Sequence, residues 1–256
     1  MTSEPTPRIE IRDVHKAYQV NGQHVQALSG LSLQAAGGQF VTIIGPSGCG
    51  KSTLLSIICG LQQPDQGEIC FDGAPAIHRA GTVGYMPQRD LLMPWRCVLD
   101  NVILGPEVYG ENLEAARREA RELLPLFGLQ GFGDRYPAAL SGGMRQRAAL
   151  LRTFLCHKET MLLDEPFGAL DAITRTDLQH WLLQVWQRFR YTILFVTHDV
   201  EEAVFLSDHV YVLTRRPARV RVGLHVDLPR PRTRDLVLAP EFAALKHELL
   251  ARLSEG

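Results

Sequence analysis

The chain has 256 residues, 45% hydrophobic and 21% charged, the balance of a soluble globular protein large enough to bury a core unaided. Lys and Arg number 27 against 28 Asp and Glu, a formal net charge of −1 that argues against a dedicated nucleic-acid binder. Apolar runs such as residues 191–196 fall far short of the ~18 residues of a membrane span, and the N-terminal MTSEPTPRIE lacks a signal-peptide pattern, so secretion is not expected.

Residues 8–20 alternate apolar and polar side chains, as a half-buried strand does, and Asn21-Gly22 predicts a hairpin turn into a second alternating stretch, residues 28–34. After Gly37-Gly38, Phe40–Ile44 is a continuous β-branched run that suits a buried parallel strand. A glycine-rich loop and a helix over about residues 51–59 follow. Residues 66–73 predict a short edge hairpin and 83–86 another strand. Helical spacing runs over 113–127, with Pro125 near its end, and over 141–155. Two short apolar strands, 160–163 and 192–196, flank a helix over 177–189, and a last helix covers 241–253. Strands alternating with helices imply an α/β fold with a mainly parallel sheet, interrupted over about residues 88–158 by a mostly helical insertion. The five cysteines (49, 59, 70, 97 and 156) are dispersed without a CxxC pair, which reads as reduced thiols rather than a disulfide framework or zinc site.

The strongest chemical signal is GPSGCGKST: Gly45, Pro46, Ser47, Gly48, Cys49, Gly50, Lys51, Ser52 and Thr53. It fits G-x-x-x-x-G-K-[ST] between a predicted strand and a predicted helix, the context in which backbone N–H groups cradle a polyphosphate. Lys51 would offset β- and γ-phosphate charge, and the Ser52 hydroxyl would ligate Mg²⁺. In MLLDEP, residues 161–166, Asp164 and Glu165 fall at the C-terminal end of an apolar strand, the edge where α/β sheets bind ligands. Asp164 suits the Mg²⁺ side. Glu165, one residue farther out, suits a base for the attacking water.

At LSGGMRQR, residues 140–147, the chain resembles the ATP-binding-cassette (ABC) ATPases, whose signature usually reads LSGGQ; Met144 stands at the fifth place. The resemblance spans about residues 9–213. It implies a P-loop NTPase with a RecA-like core, an antiparallel β-subdomain and an inserted helical subdomain, as one cassette over 8–213 with a C-terminal extension over 214–256. It also implies roles in order along the chain. Tyr18 would stack on adenine, and Gln88 would sense Mg²⁺ and the attacking water. Ser141, Gly142 and Gly143 would reach phosphate. Asp171, in GALD, would cross to a partner subunit, and His198, in FVTHD, would contact the γ-phosphate. The family pairs head to tail, so each ATP would lie between one protomer's phosphate loop and the other's Ser141–Gly143.

Residues 91–110, LLMPWRCVLDNVILGPEVYG, and the later LTRRPARV are similar to the import ATPases for nitrate, sulfonates and taurine. That resemblance implies a peripheral subunit on the cytoplasmic face of the inner membrane. Its partners would be integral membrane permease subunits, with a periplasmic or lipid-anchored solute-binding protein acting indirectly and no nucleic acid. Leu91, Leu92, Met93, Pro94 and Trp95 are expected as an exposed apolar cluster receiving a permease helix. Residues 215–234 carry seven arginines against Asp227, expected as a solvated surface or a contact for anionic lipid. Two other readings compete: a soluble cassette ATPase remodelling nucleic-acid or ribosomal complexes, and a P-loop kinase or GTPase. The latter leaves LSGGM and His198 without a role and lacks an NKxD string.

Overall fold

The computed structural model describes residues 6–168 and 170–254. Strands β1 (Ile9–Val20) and β2 (Gln23–Ala35) form a long hairpin about Asn21 and Gly22, both at positive φ as a tight hairpin turn requires. With β4 (Gln66–Phe71) and β5 (Ala74–Pro75) they make an antiparallel sheet of order β2-β1-β4-β5. The expected edge hairpin therefore has β4 inside the sheet, with two-residue β5 alone at the rim.

The second sheet is built from β3 (Phe40–Ile44), β6 (Gly84–Met86), β7 (Thr160–Asp164), β8 (Thr192–Thr197), β9 (His209–Leu213) and β10 (Val220–His225), in the order β10-β9-β3-β8-β7-β6. Strands β9 to β6 run parallel, and β10 closes the edge antiparallel to β9. Its central strands are apolar throughout because both faces are covered. Phe40, Ile44, Leu163 and Phe195 point into one core cluster; Val41, Ile43, Leu162 and Leu194 point into another.

Helix α1 (Lys51–Ile58) and the antiparallel sheet cover the second face. The first is covered by α2 (Val98–Val102), α4 (Leu113–Leu123), α5 (Gly142–Phe154), α6 (Ala172–Phe189), α7 (Val200–Leu206) and α8 (Pro240–Ser254). A short α3 (Leu104–Val108) sits between α2 and α4.

Three expectations change. Helix α6 begins at Ala172 rather than 177 because the Asp171 carboxylate accepts the Thr174 N–H at 3.0 Å and caps it. The cluster at 91–95 splits: Leu91 and Trp95 are exposed by 59% and 73%, but Leu92 belongs to the core. The arginines of the tail are not simply a solvated surface. Arg216, Arg219 and Arg221 donate to the Gly48 carbonyl, Ser29 Oγ and the Arg252 carbonyl. Arg230 and Arg234 engage Asp208 and Asp177, and Arg232 is buried on main-chain carbonyls.

Candidate functional site

Four neighbouring parallel strands deliver the motifs to one edge. The phosphate loop follows β3, His198 follows β8, Asp164 ends β7 with Glu165 next, and Gln88 follows β6. Register keeps them level: Ile44 pairs with Thr197, Asp164 with Val196, and Met86 with Leu163. The result is the crevice at strand C-termini in which α/β sheets bind ligands.

Gly50 stands at φ 129°, where a Cβ would lie 2.9 Å from Leu28 Cδ2 and 3.2 Å from the Ala27 carbonyl, so the loop is closed to any larger residue there. Lys51 is buried, and its Nζ donates to the carbonyls of Gly45 at 2.8 Å and Pro46 at 3.1 Å, curling the loop around its own ammonium group. Helix α1 has neither a side-chain cap nor an acidic residue in its first turn. Its N-terminal dipole and N–H groups are thus left for an anion. Cys49 is buried within the loop, and burial pushes its thiol pKa up, the state of an inert thiol.

Asp164 is 4% exposed. Burial raises its pKa, and the neighbouring Glu165 charge adds to the rise; hydrogen bonds from Ser52 and Tyr85 and the charge of Lys51 oppose it. The same burial raises the Tyr85 phenol, keeping it a donor. Ser52 and Asp164 therefore face each other across the base of the crevice as a pair of hard oxygen donors.

Glu165 takes φ 45°, a left-handed conformation uncommon outside glycine, and its N–H is held by the Val196 carbonyl at 2.9 Å. Its Oε2 receives Gln88 Nε2 at 3.3 Å and lies 3.3 Å from His198 Nδ1. A carboxylate flanked by an amide and an imidazole can hold a water and take its proton.

Ser141, Gly142 and Gly143 stand elsewhere, at the start of α5. The Ser141 hydroxyl accepts the Met144 N–H at 3.3 Å, and Gly143 packs against Thr174 and Leu178 of α6. Asp171 is spent as the cap of α6. Tyr18, on β1, donates its hydroxyl to Gln62, with Lys16 Nζ 5.8 Å from its ring centroid.

Sequence reasoning missed several supports. Arg216 Nη2 donates to the Gly48 carbonyl at 2.7 Å, so the β9–β10 turn braces the phosphate loop. Arg145 reaches Asp90 at 3.2 Å, and Arg152 donates to the carbonyls of Asp90 and Leu91, tying the segment after Gln88 to α5. Fully buried Asn101 accepts the Met93 N–H at 2.7 Å and donates to the carbonyls of Met93, Arg96 and Cys97. No local pattern marks the arginines, because each acts across the fold.

A phosphate loop opening a helix beside a carboxylate-ended strand, in a parallel sheet, defines a P-loop nucleotide hydrolase. The ABC transporter family model matches residues 28–168. The formylaminopyrimidine import ATP-binding protein ThiZ of Halalkalibacterium halodurans is 42% identical over 227 residues, covering 88% of this chain and 89% of that protein. The taurine import ATP-binding protein TauB of Pseudomonas aeruginosa is 40% identical over 248 residues, covering 95% and 94%. Among solved structures, the dimeric post-hydrolysis state of the MJ0796 ATP-binding cassette bound to ADP and Pi superposes with a TM-score of 0.74 at 28% identity, covering 86% of this chain and all of that one. The chain belongs to the ABC transporter family and is an ABC-type, ATP-binding ATPase.

Proposed function

We propose that the chain is the ATP-hydrolysing subunit of a bacterial ABC importer for a small anionic or nitrogen- or sulfur-containing solute such as nitrate, a sulfonate or taurine. It works as a head-to-tail dimer on the cytoplasmic face of the inner membrane, bound to permease subunits, with a solute-binding protein acting through them. The observation that carries the hydrolytic role is the meeting of Gln88 and His198 on one oxygen of Glu165 at the mouth of the phosphate loop. Import rests on relatives 40–42% identical across most of the chain that are named as import ATP-binding proteins. These names favour import over remodelling of nucleic-acid or ribosomal complexes. They also name two different solutes, so likeness between cassettes leaves the solute to the permease and binding protein.

The residues divide the work. Backbone N–H groups of Gly45 to Thr53 and the Lys51 ammonium hold the β- and γ-phosphates, while Tyr18 takes the adenine. Ser52 and Asp164 fit a Mg²⁺ ion, which they would hold together: both offer hard oxygens, and Ser52 is close enough to oppose the rise that burial gives the Asp164 pKa. Gln88 would join them in holding the ion, with phosphate oxygens and water as its further donors. When bound, Mg²⁺ supplies positive charge against the phosphates. Glu165 orients and deprotonates the attacking water, and His198 holds a γ-phosphate oxygen.

Ser141–Gly143 open α5, a different helix from the α1 that the phosphate loop opens, and they serve a second protomer, with Asp171 near the crossing. ATP then satisfies both half-sites only when the dimer is closed. Hydrolysis removes that shared ligand, so the cycle of binding and cleavage biases closed against open by differential affinity. Exposed Leu91 and Trp95 offer the permease an apolar contact. Among the described residues no helix is long and apolar enough to cross a membrane.

The test is reconstitution with the permease encoded beside the gene. ATP hydrolysis should rise when a binding protein loaded with nitrate, a sulfonate, taurine or a pyrimidine precursor is added. Co-purification with ribosomes or DNA in place of a multi-span membrane protein would overturn the reading.

A further inference from the structure

His198 sits between two residues that are both fastened to α7. Thr197 Oγ1 donates to Glu202 Oε2 at 2.6 Å and accepts the Asp199 N–H at 3.0 Å. The Asp199 carboxylate in turn caps the helix, accepting the N–H groups of Glu201 at 2.8 Å and Glu202 at 3.2 Å. The backbone on both sides of His198 is therefore anchored to α7.

Helix α7 is only seven residues long and has no basic residue in its own last turn. Its terminal carbonyls are satisfied from the C-terminal extension instead. Arg232, 5% exposed, donates through Nη1 to the carbonyls of Val204 at 3.0 Å and Phe205 at 2.9 Å, and through Nη2 to that of Val226 at 3.4 Å. Arg230 takes the Leu206 carbonyl at 2.8 Å, pairs with Asp208 and lies over the Trp186 ring at 4.2 Å. Burial and the charge of Arg230 pull the Arg232 pKa down to about 10, which still leaves a full cation at the negative end of the helix dipole. At the other end of α7, Lys246 of α8 donates to Glu201 at 2.6 Å, and Phe242 and Leu249 bury against the same core as Val200 and Val204. The extension thus grips α7 at both ends, while α7 carries the loop that holds His198.

We propose that Arg232 is a positioning residue for ATP hydrolysis: by capping α7 it fixes the 197–199 loop and keeps His198 at Glu165. The proposal rests on the roles given to His198 and Glu165 above. A shift of an ångström at a reacting group is costly, whereas nucleotide binding, made at the phosphate loop, is left alone.

Steady-state ATP hydrolysis by the full chain tests it, with active protein counted by ATP-binding stoichiometry. Arg232→Gln should lower kcat roughly five- to fifty-fold while KM stays within about twofold, and Arg232→Lys, which keeps a cationic donor, should recover much of the loss. The discriminating measurement is the double variant. In a His198→Ala background, Arg232→Gln should cost less than about twofold more, because the group it positions is gone. Additive losses, or an unchanged kcat in Arg232→Gln, would overturn the proposal. Should Arg232→Gln fail to fold, Lys246→Met at the half-exposed first-turn contact replaces it, with a kcat loss that vanishes in the His198→Ala background; no loss would again overturn it. If His198→Ala alone leaves kcat intact, the role of His198 itself falls, and the proposal with it.

Discussion

Nδ1 of His198 lies 3.3 Å from Oε2 of Glu165, the same oxygen that Gln88 approaches at 3.3 Å. An amide at position 165 keeps the shape of the side chain but cannot take a proton. Glu165→Gln should bind ATP normally and hydrolyse it ~10²–10⁴-fold more slowly, the cost of losing a positioned base. Single-turnover hydrolysis measures the rate, and size-exclusion chromatography should reveal a nucleotide-trapped dimer. Near-normal turnover would remove Glu165 from the chemistry.

Shared sites make a stoichiometric prediction. Ser141→Arg places a bulky cation at the start of α5 and removes the cap to Met144 N–H, while Lys51→Ala removes the ammonium curled into the phosphate loop. Each homodimer should be inactive, and Lys51→Ala should also lose ATP affinity. A mixture should regain activity, because a Ser141→Arg protomer still offers an intact phosphate loop to an intact Ser141–Gly143 on a Lys51→Ala protomer. Hydrolysis measured across mixing ratios checks this, and silence at every ratio would place the signature residues outside a shared site.

Asn101 offers a stability test away from the chemistry. It holds four main-chain groups of the 93–97 segment from within the core. Asn101→Ala leaves buried donors and acceptors unpaired, which typically costs about 1–3 kcal/mol for each such group. Thermal melts should move down accordingly, and the Leu91–Trp95 segment should exchange amide hydrogens faster. A melt within a degree of the wild type would mean that water replaces the side chain fully.

The motifs that lie on strand ends were legible because each combines a local pattern with a place on the sheet. The run from Phe40 to Ile44 and the glycines after it specify a buried strand and a phosphate loop without knowledge of the rest. The same holds for Asp164 and Glu165 after β7. What stayed hidden depends on distant partners. Arg232 reads from composition as one more surface cation, yet it is buried on the end of a helix too short to declare itself by period. Leu92 looked like a member of an exposed cluster, but its side chain packs into the core while Leu91 and Trp95 in the same loop face solvent. The start of α6 was hidden too: the Asp171 carboxylate caps it, so the helix opens at Ala172, five residues before the apolar spacing made it visible.

The last prediction concerns acid stability. His209 on β9 faces its register partner His225 on β10, with ring centroids 4.6 Å apart, in a cavity also lined by Glu10, Arg12 and Tyr211. Burial, and then the neighbouring His225, push the His209 pKa from its ordinary 6.5 down to about 4. Between those values the unfolded chain binds a proton that the folded chain refuses, so the contribution of His209 to stability falls as pH drops from about 6.5 toward about 4 and is level above that window. His209→Gln removes the titration. Its melting temperature is expected to sit lower at neutral pH, where ring packing with Tyr211 is lost, but to decline less steeply on acidification than that of the wild type. The slope between pH 7 and pH 4 is the readout, and parallel slopes in the two proteins would assign the acid sensitivity to the carboxylates instead.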